Sequence, residues 1–289
     1  MIPTLRLTLA AWLFFVLGAC GQPATGQPDR TVQPAPPAEI LPIALQLYTL
    51  RDYGTLDDKL ELAASVGFSG VEIYQTYDLG ADALARKAAE HGLAITSWHV
   101  GLGTLRYDLE NTVRYAQSLG VDTLILPWLK DEERPNSGAG WSALGRELGD
   151  YGRRLAREGL TLGYHNHAFE MAELEGKSAL EWLFEGASAE DLKWQPDVAW
   201  IRLGGRNPAT LINTYSERVV SMHAKGVAED PGEEGGFADV GYGTLDWTAI
   251  LRAAEGSPLE WYIVEHDQPT DPEKSVARSF AYLETALRD

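Results

Sequence analysis

The 289-residue chain has a single cysteine, Cys20, close to the start of the numbering. A disulfide framework is therefore excluded, and the thiol-free remainder suits an oxidising compartment. Positive charge is also scarce, with 24 Lys and Arg against 42 Asp and Glu and a formal net charge of −18. Such a body repels phosphate backbones and anionic lipid surfaces, which weighs against nucleic acid as a partner and mildly against polyanionic substrates. Long apolar runs are missing as well. The apolar stretch Leu7–Leu17 is too short to span a bilayer, which takes about 20 residues. Neither repeats nor low-complexity segments interrupt residues 43–289.

What the N-terminus does contain is one early positive charge at Arg6, then the apolar stretch, then small residues. That layout predicts a secretory signal over residues 1–20. Leu17-Gly18-Ala19-Cys20 resembles the bacterial lipobox, in which the cysteine is lipidated, so Cys20 is the expected anchor and the protein is expected on the extracytoplasmic side of a bacterial membrane, the outer membrane first. Removal of Arg6 with the signal would take the net charge from −18 to −19. Residues 21–42 are rich in Pro, Gln and Ala and predict an extended tether. The remaining 43–289 is the usual length of one (β/α)8 barrel.

Along that body, short apolar β-type runs alternate with stretches of helical period. The runs are 43–48, 70–74, 94–100, 122–127, 160–167, 192–198, 219–225 and 260–267. Between them, LDDKLELAASVG, ADALARKAAEHG and NTVRYAQSLG each end in the glycine that commonly stops a helix. Strand and helix repeated eight times predict an α/β fold, a TIM barrel of parallel strands.

In a TIM barrel the chemistry sits at the C-terminal ends of the strands. His99, His165, His167, His223 and His266 all fall at predicted strand ends, and only His91 does not. Glu72, Asp197 and Glu265 repeat the pattern. His165 and His167 are two apart, so on one strand they leave the same face. Clustered imidazoles and carboxylates without thiolates suit a borderline or hard divalent cation. His165, Asp197, His223 and Glu265, one from each of strands five to eight, are the expected ligands of a single ion. Asp197 follows Pro196 and is also placed to cap a helix.

The segments VEIY (71–74), HNH (165–167), Asp197, HAK (223–225), VGYGTLDW (240–247) and VEHD (264–267) occur in an order that resembles the xylose isomerase-like TIM barrels, among them sugar (phosphate) isomerases and epimerases, inosose dehydratases and the AP endonuclease branch. The resemblance covers the whole body. It implies one divalent metal, Mn first and Zn, Co, Fe or Mg as alternatives, held by Glu, Asp, His and Glu. Asp197, His223 and Glu265 match, whereas His165 stands where the family has glutamate, which raises the charge of ion plus ligands from −1 to 0. That exchange removes one base of a two-glutamate proton shuttle, and Glu170 is a possible substitute. The implied activity is isomerisation or epimerisation by enolisation, or a lyase reaction on oxidised sugars, with Glu265 as base and His167 or Glu72 as opposite-face acid or base. Lys225 resembles a substrate-contacting lysine.

Aromatic residues near strand ends, namely Tyr48, Trp98, Trp128 and Trp200, suit stacking on sugar rings. His99, His266, Lys225, Trp128, Trp200 and Glu170 are the expected substrate contacts. The glycine-rich segment 231–243 reads as a mobile loop over the site. A small-molecule carbohydrate is the expected partner, unphosphorylated because sugar phosphates are scarce outside the cytoplasm. Membrane contact is expected only through the lipid anchor, and the oligomeric state stays open. Phosphodiester cleavage is disfavoured by charge and by too few ligands for three metals. A sugar-binding lipoprotein without turnover is the remaining alternative.

Overall fold

The computed structural model describes residues 41–288 except Pro231 and Glu233. The expected signal, Cys20 and the tether up to residue 40 lie outside the described residues.

Eight parallel strands are present, here numbered β1 (Ile43–Gln46), β2 (Gly70–Ile73), β3 (Ala94–His99), β4 (Thr123–Leu126), β5 (Thr161–His165), β6 (Lys193–Gln195), β7 (Ser221–Ala224) and β8 (Trp261–Val264). Their order is β6-β5-β4-β3-β2-β1-β8-β7. Two parallel bridges, Trp194 to Val219 and Asp197 to His223, join β6 to β7 and close the cylinder. The predicted TIM barrel is therefore the observed fold.

Each strand is shorter than its apolar run because side chains turn the chain early. At β1, Gln46 Oε1 accepts from Tyr48 N at 3.1 Å and bends residues 47–50 into a 3-10 turn. At β6, Pro196 has no N–H to extend the ladder, and Asp197 caps the next helix through Oδ1, which accepts from Trp200 N at 2.9 Å. In β3 a bulge moves the pairing of Val71 with Ile95 to that of Glu72 with Ser97.

The helices follow their apolar stripes. Leu56–Val66 starts on a Thr55/Asp58 capping box, buries Leu60 and Ala63, and stops at Gly67 with φ 115°. Helices Gly138–Ala156 and Ala179–Glu185 meet across glycines, and a Cβ on Gly145 would lie 2.0 Å from Leu183 O. The core is the shell between strands and helices, with Trp98, Tyr164 and Trp194 among its large members. Among the described residues no helix is long and apolar enough to cross a membrane.

Candidate active site at the C-terminal mouth of the barrel

Alternation along the strands sends Gln46, Glu72, Ser97, His99, His165, Gln195 and His223 into the barrel, where all of them but His165 meet at Glu72. That carboxylate is fully buried. It accepts from Gln46 Nε2 and Gln195 Nε2 at 2.7 Å each and from Ser97 Oγ, and lies 2.8 Å from His99 Nε2 and 2.5 Å from His223 Nε2. Burial alone would push it towards the neutral acid, but His99 and His223 outweigh this and hold it well below the usual carboxylate range. Glu72, expected as an acid or base facing substrate, has no exposure and does not line the cavity, and with its lone pairs committed it is placed to orient histidines from beneath.

Gln195 carries that order outward. Its amide nitrogen donates to Glu72 and, at 2.9 Å, to Ser221 Oγ. Its oxygen is then the acceptor for His165 Nδ1 at 3.1 Å. This assigns the proton of His165 to Nδ1 and leaves Nε2 with a lone pair, 3.9 Å from Asp197 Oδ2. Burial, then His223, keeps His165 well below the ordinary imidazole range and thus neutral.

His223 lies between two carboxylates, Nε2 against Glu72 and Nδ1 2.9 Å from Glu265 Oε2. Burial opposes its charge, yet Glu265 and Glu72 together hold it up at about 10. Beside it, Lys225 Nζ lies 2.9 Å from Asp197 Oδ2, 2.6 Å from Glu265 Oε2 and 3.0 Å from Asp267 Oδ1. Burial raises Asp197 to about 6 against the pull of Lys225. Glu265 is held well below its usual range by Lys225 and His223, which override its burial.

The donors fit a divalent ion. Oxygen and nitrogen atoms of His165, Asp197 and His223 lie within 4.8 Å of one another. Asp197 Oδ2, buried and without a hydrogen bond although its charge is paired to Lys225, is 4.0 Å from His223 Nδ1. Ligand atoms around one cation at about 2.0–2.2 Å stand roughly 3–4 Å apart, so small shifts suffice. Four carboxylates, Glu72, Asp197, Glu265 and Asp267, face at most three cations, Lys225 and the imidazoles of His99 and His223, which leaves negative charge for a divalent ion to offset. Ligation by His223 through Nδ1 requires loss of its proton there.

Above this floor opens a cavity of about 690 Å³ whose walls include Tyr48, Trp128, His167, Trp200, Phe237 and Gln268. His99, His165, Lys225, Glu265 and Asp267 also line it, so eleven groups from distant parts of the chain share one mouth. His167 sits among Trp128, Phe169 and Trp200, at 4.6, 6.0 and 5.1 Å between ring centres. Burial, then Lys225, lowers it to about 3, and its Nδ1 has no hydrogen-bond partner. It is therefore a neutral hydrogen-bonding group and a poor proton donor near neutral pH.

Packing places Glu170, His266 and Trp98 outside the cavity lining. Glu170 accepts from Tyr164 OH at 2.6 Å and His167 N at 2.8 Å, which turns it away from the cavity and leaves strand five without a carboxylate in the site. His266 is buried behind the wall, accepting from Gln268 N at 3.2 Å and facing Glu234 Oε2 at 3.2 Å. Trp98 points outward into the shell against Tyr115, because His99 beside it takes the inward place. The glycine-rich segment does reach the site through Gly235 and Phe237. Its described part is tied down by pairing of Gly226–Val227 with Phe237–Ala238 and by Thr270 N donating to Glu234 Oε1 at 2.7 Å.

Residues missed in the sequence are Gln46, Ser97, Gln195 and Asp267. Gln195 lies two residues before Asp197 and Asp267 two after Glu265, so the spacing that singled out the histidines could have found both.

A buried His and carboxylate cluster at the strand ends of an eight-stranded barrel defines a class, and residues 60–286 match the xylose isomerase-like TIM barrel family. The chain belongs to that family. It is 26% identical over 157 residues to the inosose dehydratase of Lacticaseibacillus casei, with 49% of this chain aligned to 51% of that protein, so it spans about half the length of that relative. It is 24% identical over 273 residues to the inosose dehydratase of Geobacillus kaustophilus, covering 82% of this chain and 87% of that one. In fold it is similar to a sugar phosphate isomerase/epimerase from Parabacteroides distasonis, with TM-score 0.71, 19% identity and coverage of 84% and 93%. A probable 3-DHS dehydratase from Bacillus anthracis aligns with TM-score 0.65, 13% identity and coverage of 84% and 99%.

Proposed function

We propose that the protein removes a proton next to a carbonyl group of an unphosphorylated keto-sugar or inositol-like ring, with a divalent ion held by His165, Asp197, His223 and Glu265. The observation that carries this reading is the excess of buried carboxylates over cations around three converged ligand atoms at the base of an aromatic-walled cavity. A bound divalent ion would supply Lewis acidity to the carbonyl oxygen.

The chain's own residues do the rest. Glu265, kept ionised by Lys225 and His223 before an ion binds and by the charge of a bound ion afterwards, takes the C–H proton. Lys225 and His167 hold substrate oxygens, the first as donor and the second through a neutral ring nitrogen. Trp128 and Trp200 cover the apolar face of the ring and exclude water. Glu72, Gln195 and Ser97 keep the imidazoles oriented.

The carboxylates that line the cavity, Glu265 and Asp267, both follow β8. Epimerisation needs a second proton donor on the opposite face, and His167 at about 3 is a poor one. Loss of a neighbouring hydroxyl as water can run on one face, with the proton that Glu265 takes from carbon returned to the departing hydroxyl, and the curated relatives are named dehydratases. Dehydration is therefore the outcome we favour, with isomerisation through a single base as the other product of the same abstraction. Phosphate fits poorly, because the cavity's cations are Arg51 and a Lys225 already facing three carboxylates.

The test is incubation with inososes and keto-sugars in D₂O with Mn²⁺, following deuterium incorporation and the ultraviolet absorbance of an unsaturated ketone. Glu265→Gln should lower the rate by about a hundredfold or more. Metal bound without exchange or product across the panel would replace this reading with that of a sugar-binding protein.

A further inference from the structure

Lys225 has an unusual position for a group that contacts substrate. It follows β7 two residues beyond His223, so both side chains enter the barrel. Its Nζ lies 2.9 Å from Asp197 Oδ2 and 2.6 Å from Glu265 Oε2, and the side chain is 1% exposed. These two carboxylates are also two of the four groups assigned above to a divalent ion. An ammonium and a divalent ion drawing on the same oxygens repel each other strongly in a buried setting, so both cannot hold them together.

A third carboxylate resolves the conflict. Asp267 accepts from the same Nζ at 3.0 and 3.1 Å, lines the cavity and is more exposed than the other two, at 18%. The flexible four-carbon stem lets the ammonium pivot without backbone movement. The rings of Trp200 and Phe237, centred 5.6 and 5.2 Å from Nζ, flank the path on the cavity side.

We propose that Lys225 is an internal competitor cation: it keeps Asp197 and Glu265 converged, yields them to an arriving divalent ion, and pivots onto Asp267, from where it donates to a substrate oxygen. This rests on the metal reading given above. It makes Lys225 a positioning residue for the ligands before loading and a substrate contact after it, and it sets the affinity of the ion below what the four ligands alone would give.

The experiment is a titration of the full-length protein in detergent with Mn²⁺ alone, reading free Mn²⁺ by electron paramagnetic resonance. Lys225→Met should bind Mn²⁺ about tenfold or more tightly than wild type, because the competitor is gone. Arg51→Gln removes another cavity cation that touches neither oxygen, and should change affinity by less than about threefold, since a charge partly open to solvent at 28% exposure is screened. Asp267→Asn takes away the alternative seat and should weaken binding several-fold. Equal or weaker binding by Lys225→Met, or an equal gain in Arg51→Gln, overturns the proposal. Should Lys225→Met fail to fold, Lys225→Gln decides: tighter binding supports competition, and unchanged or weaker binding overturns it. Absence of Mn²⁺ binding in both wild type and Lys225→Met would remove the metal reading itself, an outcome distinct from wild-type binding that ignores Lys225.

Discussion

Glu170 shows how much one side chain depends on its surroundings. Burial raises its carboxyl to about 7, although Tyr164 OH and His167 N both donate to it. A folded-state value above the unfolded one, near 4.5, means that its contribution is fully present below about pH 4.5 and is lost as pH rises through about 7. The difference corresponds to about 3 kcal/mol. Glutamine can accept from His167 N and donate to Tyr164 without a charge. Glu170→Gln should therefore lose less stability than wild type between pH 5 and pH 8, read from urea midpoints at the two values, and a parallel pH trend in both proteins would sink the argument. Gln195 is the complementary case. It donates to Glu72 and Ser221 and accepts from His165. Gln195→Leu removes the acceptor that assigns the tautomer of His165, so Mn²⁺ affinity should fall by about 10- to 100-fold while the far-ultraviolet spectrum stays unchanged.

At the scale of elements, helix Gly138–Ala156 owes its place to what its glycines lack. A Cβ at Gly145 would meet Leu183 O at 2.0 Å and one at Gly152 would meet Asp191 O at 1.7 Å, both backbone atoms that no rotamer change can move. Gly145→Ala should separate this helix from Ala179–Glu185 and lower the unfolding free energy by about 2–3 kcal/mol, despite the higher helix propensity of alanine. Denaturant unfolding measures it, and a neutral or stabilised variant would show that the helices shift freely. The barrel seam is a second element-scale feature. Among the described residues two backbone bridges join β6 to β7, at Trp194–Val219 and Asp197–His223. A side-chain bond reinforces it, since Gln195 Nε2 on β6 donates to Ser221 Oγ on β7 at 2.9 Å. The predicted strand ends ran past these bridges because apolar composition does not reveal where a glutamine side chain or a proline turns the backbone. The alternation itself was legible, because a period of two gives way to helical stretches that stop at Gly67, Gly92 and Gly120.

For the whole molecule, a divalent ion held by the cluster as proposed would make stability depend on that ion. An ion bound only by the folded state stabilises it by about 2.7 kcal/mol at a hundred times its dissociation constant, which for this size raises the melting temperature by roughly 5–10 °C. Melting in EDTA and then with excess Mn²⁺ should show this rise, and identical curves would contradict the ligand assignment. The net charge of −18 acts in the same direction, since a cation lowers self-repulsion. The N-terminal pattern supports anchoring outside the cytoplasm. Cys20→Ala should abolish incorporation of labelled palmitate in a bacterial host and move the protein from the membrane fraction to the soluble fraction, whereas continued labelling would place the lipid elsewhere.

The sequence by itself determined the barrel and its chemical end. Eight apolar runs alternating with helical stretches leave few other ways to bury both faces of each strand, and imidazoles spaced two apart at strand ends must share a side. Local spacing says nothing about depth or about partners across the cylinder. Glu72 and His223 are separated by 151 positions, and only closure of the sheet decides that one saturates the other. The same closure buried Glu72 beneath the site, turned Glu170 onto Tyr164 and His266 onto Glu234, and brought Lys225 against two carboxylates. These choices depend on the stagger of neighbouring strands and on which polar groups are left to satisfy in a dry interior, neither of which is written in any single stretch of chain.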